Sequence, residues 1–538
     1  MESTKPVYTN NVLKSMTLEN FKCFHQPVKI DFSQITMLYG PNSAGKSSIL
    51  QAICYMAEVL NGNLDVDITS HGGEGMDLGG FQNLIYNHDL NNTIKIGFEL
   101  DVTDMDIHQF KIFENDDNYN NIKNIKILFE LKYSNLENIP YVSAVKYTLN
   151  DKKQYALFSS DDMSKWTISL TSHSVDEANL SIDIDTTNTD DAFDSNDILK
   201  KMEQYNSSTA YIMSEGKNKL GALPRPTKDN YLYIFPLDAE DNIMFSNEEG
   251  KYISDYNQNH EYNKSCSNIV HLPLNILKNL VSQFRLIGPI RKIPARNFLP
   301  QKTKDIGRWM DGLAAWDAIQ NMSDDEFGLL NKFLGEEYLN SGYQFKKKEL
   351  SYIATALIKN MTSESFNASI INNYKTDTKQ WVLWDEKNNI EVKPHDIGVG
   401  ISQLLPFLIA MIFDIQGDGI IKMVAIAQPE LHIHPKMQVE LGDVLIDRAQ
   451  IGMPLFIESH SEHILLRLLR RIRQTTNDEV PPERKQLYPE NLSILYVNPP
   501  KDNNQSPQIY KLRVDKDGEF KDRWPEGFFA ERGQELFG

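Results

Sequence analysis

The spacing of apolar positions divides the start of the chain into strands, a loop and a helix. Between residues 12 and 32, apolar side chains recur in a pattern that suggests two short antiparallel strands joined at residues 23–27. Residues 35–39 (ITMLY) are almost entirely apolar, which predicts a buried strand. Residues 48–56 change to helical spacing. The pattern therefore predicts a strand, a connecting loop and a helix in succession.

Four later segments alternate apolar and polar residues with a period of two: residues 94–100, 125–131, 142–149 and 166–170. This alternation predicts an antiparallel sheet. Residues 174–208 are rich in Asp, Asn, Ser and Thr, a composition that buries little apolar surface. We expect a solvated loop or a partly disordered insertion there, and the absence of a complete calcium-loop motif disfavours a calcium site.

The second half of the chain mixes helical and strand patterns. Residues 272–284 are predicted to be helical, and residues 308–375 mostly helical. Within the second segment a core-facing stripe has helical spacing: Trp309, Leu313, Trp316 and Ile319. Residues 422–426 and 455–458 are short apolar runs, which predicts two more buried strands.

The loop after the first buried strand has the sequence GPNSAGKSS at residues 40–48 and matches G-x-x-x-x-G-K-[ST], the phosphate-binding P-loop. Its glycines let successive backbone N–H groups face one concavity. Lys46 supplies a cation for the β- and γ-phosphates, and the Ser47 hydroxyl is a ligand for Mg²⁺. ATP and Mg²⁺ are therefore the expected cofactors. The candidate nucleotide-binding residues are Gly40, Asn42, Ser43, Ala44, Gly45, Lys46, Ser47 and Ser48.

Composition limits the class of protein. A chain of 538 residues is too long for one ordinary core, so several structural regions are expected. The longest apolar run is about half the length that spans a membrane, and the N-terminus lacks a signal pattern, so a cytoplasmic protein without a membrane partner is expected. Lys and Arg total 55 against 74 Asp and Glu, a net charge of −19. This balance disfavours general coating of nucleic acid but leaves a local basic groove open.

Residues 396–406 (DIGVGISQLLP) place a glycine-serine turn before an apolar helix. A helix N-terminus of this kind binds anions. Because the P-loop already cradles one set of phosphates, a second cradle suits the γ-phosphate of a nucleotide held by another subunit. An ordinary helix cap explains the same residues equally well.

Two strand ends carry further polar residues. One buried strand is followed by QPELHIHP at residues 428–435, and another ends in ESHSEH at residues 458–463. The histidines have partly metal-like H-x-H spacing, which keeps a zinc site under consideration. Pro435 and the position of both motifs at strand ends favour an ATPase instead.

These motifs together carry a family resemblance. The segment LENFKCF at residues 18–24, followed by the P-loop, resembles the opening of ABC-type ATPases related to chromosome-maintenance and double-strand-break-repair proteins. The run from residue 428 to residue 463 is similar to the overcoming-lysogenisation-defect ATPases. The resemblance implies an α/β ABC-type (SMC-like) P-loop ATPase head with a mixed sheet, an antiparallel β lobe and a helical insertion.

The resemblance also implies roles for single residues. Glu430 occupies the acidic strand-end motif, Gln428 the position before its proline, and His460 the position of the switch histidine. Residues 398–403 match the signature motif that completes a nucleotide site in trans, with Gly400, Ser402 and Gln403 as contacts. Lys22 is a candidate nucleotide contact or an exposed turn lysine. Gln82, after a glycine cluster, is one candidate for the glutamine that senses Mg²⁺.

One departure from the family pattern concerns catalysis. In the relatives an acid stands where this chain has Ala427. That acid orders Mg²⁺ and its water. We therefore expect that hydrolysis is slow, that Glu430 substitutes, or that Ala427 is an introduced change.

The end of the chain resembles the short C-terminal domain found in one subgroup of these ATPases, the ATPase subunits of bacterial Septu and retron antiphage systems. This resemblance implies a homo-oligomer formed through ATP, an HNH-type nuclease effector, and in retrons a reverse transcriptase with its nucleic acid. A self-contained ATP-dependent nuclease or DNA-repair ATPase is the alternative. It is disfavoured because the D-x-D at residues 515–517 runs into Gly518, and Asp-Gly indicates a hairpin turn.

These patterns predict five regions. They are an N-terminal ATPase lobe (residues 1–100), a β-rich and polar insertion (101–270), a helical subdomain (271–380), a C-terminal ATPase lobe (381–480) and a C-terminal segment (481–538).

Two basic segments have open interpretations. Residues 285–296 contain four cationic side chains and are expected to contact phosphates or to form a solvated turn. The helix at residues 464–473 is amphipathic and rich in arginine, which suits nucleic acid, an acidic partner or a plain protein surface.

Overall fold

The protein is described here from a computed structural model. The residues that the structure describes are 12–66, 77–110, 122–151, 153–159, 166–172, 209–214, 232–236, 260–296, 298, 300–301, 306–352, 376–413, 423–500 and 505–525. The polar stretch at residues 174–208 lies outside the described residues, as does most of the glycine cluster before Gln82.

The strands are numbered in chain order: β1 Leu13–Glu19, β2 Val28–Asp31, β3 Ile35–Tyr39, β4 Ile94–Asp101, β5 Asn124–Ser134, β6 Ile139–Leu149, β7 Lys153–Ser159, β8 Trp166–Ser172, β9 Thr209–Ser214, β10 Leu232–Pro236, β11 Arg285–Ile287, β12 Tyr343–Tyr352, β13 Thr376–Asp385, β14 Ile390–Val392, β15 Val424–Ala427, β16 Leu455–Glu458, β17 Leu492–Asn498 and β18 Gln508–Leu512.

The α-helices of the described residues are α1 Lys46–Leu60, α2 Gly80–Leu84, α3 His260–Ser282, α4 Leu313–Ala318, α5 Asp324–Leu334, α6 Val399–Ile412, α7 Pro435–Ala449 and α8 Glu462–Thr476. Short 3-10 helices occur at Tyr86–His88, Ile107–Phe110, Ile306–Trp309, Ile319–Asn321, Pro394–Asp396 and Pro489–Asn491.

A six-stranded sheet lies at the centre, in the order β11-β15-β16-β3-β17-β18. Its strands pair in parallel except for β17 and β18, which are antiparallel. Strand β3 is buried throughout because both faces of the sheet are covered. Leu38 belongs to the core on the α1 side, whereas Met37 belongs to the core that contains α6, α7 and α8. The sheet therefore aligns several strand ends beside the loop that follows β3.

An antiparallel sheet of nine described strands, in the order β10-β9-β8-β7-β6-β5-β4-β1-β2, forms a separate layer. The period-two segments predicted from the sequence are β4, β5, β6 and β8, so that prediction is confirmed. The mixed α/β architecture, with mixed and antiparallel sheets, agrees with the predicted fold class.

The helical prediction for residues 308–375 is only partly right. Helices α4 and α5 lie in its first half, but Tyr343–Tyr352 is strand β12, paired antiparallel along its length with β13. Phe345 packs into the core, and Lys347 lies 2.6 Å from Asp324 at the surface. Pairing with a distant strand therefore overrides the local helical pattern. Residues 353–375 lie outside the described part.

The C-terminal segment is built into the central sheet. Strand β17 pairs directly with β3, and β18 extends the sheet beyond it. The turn at residues 515–519 then packs on α8 so closely that a Cβ on Gly518 would lie 2.3 Å from the Leu469 carbonyl oxygen. Strands β17 and β18 thus complete the central sheet on the side of β3 opposite to β16.

Within the described ranges, every helix is too short or too polar to cross a lipid bilayer.

Candidate nucleotide-binding site

The loop between β3 and α1 has the backbone conformation that its glycines permit. Gly40 and Gly45 have φ angles of 136° and 103°, and Ser43 has a φ of 60°. A Cβ on Gly40 would lie 2.2 Å from the Val497 carbonyl oxygen, so no other residue fits there. Gly45 caps α1 without a side-chain hydrogen bond. The first N–H groups of this fifteen-residue helix are therefore available to an anion.

Lys46 and Ser47 meet a carboxylate at the end of β16. The Lys46 ammonium donates to the carbonyl oxygens of Gly40 and Pro41, at 3.0 and 2.8 Å, and lies 3.8 Å from Glu458 Oε1. Ser47 Oγ donates to Glu458 Oε2 at 2.9 Å. Burial lowers the pKa of Lys46, and the charge of Glu458 opposes this shift. The Lys46 ammonium and the Ser47 hydroxyl are therefore placed to contact both the Glu458 carboxylate and an incoming phosphate.

A pocket opens above the P-loop, and we call it the P-loop pocket. Its volume is about 230 Å³. Its lining comprises Asn42, Ser43, Lys46, Ser47, Leu50, Gln51, Leu286, Pro289, Met310, Ala427, Gln428 and Glu458. Complete small-molecule sites enclose roughly 300–1,000 Å³. The pocket of one chain is therefore smaller than a complete ligand site and has the size of part of a nucleotide site.

Glu430 holds the loop that carries His460. One Glu430 carboxylate oxygen accepts the backbone N–H of His460 at 2.6 Å, and the other accepts the Ser459 hydroxyl at 2.9 Å. Burial, together with the nearby charge of Lys46, lowers the pKa of His460, and the charges of Glu430 and Glu458 oppose this shift. Glu430, the expected acidic strand-end residue, and His460, the expected switch histidine, are therefore in contact through the backbone of His460.

Arg291 joins the strand-end loop to the start of α6. Its guanidinium is buried and donates to the carbonyl oxygens of Ala427 and Gln403, at 2.7 and 3.0 Å. The Gln403 amide bonds the backbone of Arg291 in return. Burial lowers the pKa of Arg291 to about 10, and Glu430 opposes this shift. Gln428, with a φ of 51°, lines the pocket and donates its N–H to the Glu458 carbonyl oxygen.

The predicted second anion cradle is divided between the surface and the core. Helix α6 begins at Val399, and its cap, Gly398, makes no side-chain hydrogen bond and has open space beside it. Gly400 packs against the His432 carbonyl oxygen. Ser402 is fully buried and donates to the Val399 carbonyl oxygen at 2.8 Å. The side chains of Ser402 and Gln403 thus bond within their own chain, and the backbone end of α6 is the part open to a phosphate.

Lys22 lies beside the P-loop pocket, and Gln82 lies outside its lining. The Lys22 ammonium donates to Gln51 Oε1 at 2.7 Å, and Gln51 lines the pocket. Burial lowers the pKa of Lys22. Gln82 is exposed on α2, and its carbonyl oxygen contacts the imidazole of His88.

The donor set of the pocket suits Mg²⁺ better than zinc. Within the described residues, no three His, Cys, Asp or Glu side chains are placed to hold a metal ion. His434 instead accepts the Lys436 N–H as the cap of α7. Mg²⁺ prefers one or two protein oxygen ligands together with phosphates and water. Ser47 and Glu458 provide oxygen donors of that kind beside the P-loop.

The two basic segments have mainly internal partners. Arg285 is buried and donates to the carbonyl oxygens of Ala410 and Phe413. On α8, Arg467 and Arg471 both bond the buried carboxylate of Asp443, at 2.8 and 2.6 Å. Arg470 is exposed on the same helix. The expectation of a phosphate-binding face is therefore not supported for the buried arginines.

The sequence pattern does not identify Glu458 as a residue of this site. It appears in the sequence only as the last residue of a buried strand. The available signal is a charged residue at the end of an apolar run, because a buried charge requires a partner. The partners, Lys46 and Ser47, lie more than four hundred residues earlier in the chain.

A P-loop at the end of a strand of a parallel sheet, beside a carboxylate from the neighbouring strand, defines a P-loop nucleotide-binding protein. The chain belongs to the AAA ATPase domain family, which matches residues 12–465. Residues 487–537 match a second family, described as a protein of unknown function (DUF3696). Comparison with curated proteins found no match.

Solved structures with a similar arrangement include heads of SMC proteins. The SMC head domain from Thermotoga maritima is 10% identical, with 94% of this chain and 100% of that chain covered and a TM-score of 0.35. An Smc head bound to the C-winged helix domain of ScpA is 10% identical, with 94% and 98% covered and a TM-score of 0.39. An Smc head with an extended coiled coil, bound to the C-terminal domain of ScpA derived from Pyrococcus furiosus, is 10% identical, with 98% of each chain covered and a TM-score of 0.36.

Proposed function

We propose that this protein binds ATP with Mg²⁺ in the P-loop pocket. The single observation that carries the proposal is the convergence of Lys46, Ser47 and the uncapped start of α1 at one pocket. Lys46 binds the phosphates, and the N–H groups of α1 face them. Mg²⁺, when bound, neutralises phosphate charge. Ser47 is the P-loop residue that would hold it.

Two copies are proposed to close around the nucleotide. The small volume of the P-loop pocket supports this proposal, since one chain encloses less than a complete ligand site. The open backbone end of α6 is the surface that would reach the γ-phosphate of the partner's nucleotide. Arg291 joins that end to Ala427 at the end of β15, so closure would displace the strand ends that line the P-loop pocket.

Hydrolysis is proposed to be slow. Ala427 supplies no carboxylate, and Glu430 already bonds the His460 backbone and the Ser459 hydroxyl. Neither group is placed to activate water in the arrangement observed. ATP would then serve mainly as a clamp between copies.

The state of the clamp is proposed to regulate a partner effector in a bacterial antiphage complex, in the manner of the Septu and retron ATPase subunits that the sequence resembles. The effector would be an HNH-type nuclease, joined in retrons by a reverse transcriptase with its nucleic acid. The support is the order of motifs and the C-terminal segment. The alternative, a self-contained nuclease, loses its candidate site because Asp515 caps its own turn by accepting the N–H groups of Asp517 and Glu519.

Affinity purification from the native host, with and without ATP, tests the proposal. The wild type should retain a nuclease or nucleic-acid partner in an ATP-dependent manner, and Lys46→Ala should lose that dependence. A wild-type protein that purifies alone and degrades DNA by itself would contradict the proposal and favour the alternative.

A further inference from the structure

Glu458 is a buried carboxylate with few compensating contacts. Its residue exposure is 7%. Among the described residues its side chain accepts one hydroxyl hydrogen bond, from Ser47, and has one ion pair, with Lys46, at the long distance of 3.8 Å. A buried charge normally needs closer pairing and more hydrogen bonds to offset its desolvation. A further cation beside Glu458 would therefore stabilise its buried negative charge.

The position of Glu458 narrows the choice of that cation. Of the described residues that line the P-loop pocket, Glu458 alone carries a carboxylate. It bonds the hydroxyl of Ser47, the P-loop residue that serves as a Mg²⁺ ligand. A phosphate arriving at Lys46 would be repelled by Glu458 unless a divalent cation stood between the two anions. Glu458 therefore has the negative charge and the position, beside Ser47, that are expected of a residue near the metal ion of a bound nucleotide.

We propose that Glu458, at the end of β16, is the acidic residue that holds Mg²⁺ or its bound water together with Ser47, in place of the acid that is missing at position 427. The proposal rests on the proposed function, binding of ATP at the P-loop. Its structural basis is the strand register, which puts Ala427 and Glu458 side by side at the same edge of the sheet. A carboxylate from either strand end therefore reaches the same pocket.

The test compares ATP affinity in excess Mg²⁺ with ATP affinity in EDTA, for the wild type and Glu458→Gln. The matched control is Glu483→Gln, an exposed position outside the site. The wild type and the control should bind ATP more tightly in Mg²⁺. In Glu458→Gln this enhancement should fall by about 10–100-fold, the cost typical of losing a group that supports a metal ligand. Affinity in EDTA should be unchanged or tighter, because a negative charge beside the phosphates is gone.

Three outcomes decide the matter. An unchanged Mg²⁺ enhancement in Glu458→Gln would overturn the inference while leaving ATP binding intact. Equal tightening in both buffers would also overturn it, by showing that Glu458 only repels phosphate. A wild type that binds no ATP in either buffer would refute the proposed function itself. Thermal unfolding of each variant checks folding, and Glu458→Asp, which keeps the charge, should retain part of the enhancement if the glutamine variant is unstable.

Discussion

Ala427 and Glu458 stand opposite each other at the ends of the parallel strands β15 and β16. Both residues line the P-loop pocket, and Glu458 alone reaches Ser47. Ala427, the neutral member of this pair, stands where the resemblance described above implies an acid. The carboxylate of the pocket therefore lies on β16, which is one strand closer than β15 to β3, the strand that leads into the P-loop.

Ala427→Glu should raise ATP turnover. The new carboxylate would face the pocket, where it would help order Mg²⁺ and its water. We expect an increase of about tenfold or more, at the low end of what positioned acidic groups contribute. Ala427→Gln, of similar size but uncharged, is the control and should not raise the rate. Steady-state phosphate release measures the effect, and an unchanged rate in Ala427→Glu would contradict it.

Trp524→Ala should destabilise the protein, because it removes a side chain that packs on the end of β3, the strand that leads into the P-loop. Trp524 packs edge-on against Tyr39, the last residue of β3, at 5.6 Å between ring centroids, and also contacts Tyr496 and Phe520. We expect a loss of about 2–4 kcal/mol, since Trp524 is only partly buried. Trp524→Phe should recover much of it. Differential scanning fluorimetry is the measurement, and a midpoint equal to that of the wild type would show that the C-terminal segment does not support β3.

Asp443→Asn should cost about 3–5 kcal/mol, the usual penalty for breaking a buried ion pair from one side. Arg467, Arg471 and Arg484 all contact this carboxylate, at 2.6–3.2 Å. Arg470→Ala, on the exposed side of the same helix, is the control and should leave the unfolding midpoint unchanged. If Asp443→Asn were as stable as the wild type, the arginines of α8 would not form the internal network described.

His271 should make the fold sensitive to acid. Its side chain is buried in α3, its Nε2 has no hydrogen-bond partner among the described residues, and burial lowers its pKa to about 3. In the unfolded state this histidine has an ordinary pKa near 6.5 and binds a proton more readily. The contribution of His271 to the free energy of unfolding is therefore fully present above that pH and is lost as the pH falls below it. At pH 5 the loss is about 2 kcal/mol. His271→Leu should remove this contribution, so its midpoint should fall less than that of the wild type between pH 7 and pH 5. Equal shifts would contradict the assignment.

The local parts of the architecture could be predicted from the sequence. The P-loop, its flanking strand and helix, and the period-two strands β4, β5 and β6 follow from spacing within a few residues. Strand β12 could not, because it lies in a segment with a predominantly helical pattern and its partner strand begins more than twenty residues later. Its pairing with β13 is a tertiary contact.

The residues of the site also fall into two groups, those that a local motif predicts and those that only the fold brings together. Lys46 and Ser47 are recognisable from their motif, whereas the roles of Glu458 and Arg291 depend on which strand ends the fold brings together. Ser402 and Gln403 show the converse. A motif at a helix start predicted phosphate contacts from these two side chains, but both are buried and bond within their own chain.

Binding of ATP by the wild type and by Lys46→Ala, measured by isothermal titration calorimetry in Mg²⁺, tests the central claim most directly. Lys46 is the buried cation of the P-loop pocket, so its loss removes the charge that the phosphates require. We predict saturable binding by the wild type and none by the variant, with both proteins folded by circular dichroism. Equal affinity in the two proteins would contradict the assignment of the P-loop pocket as the nucleotide site.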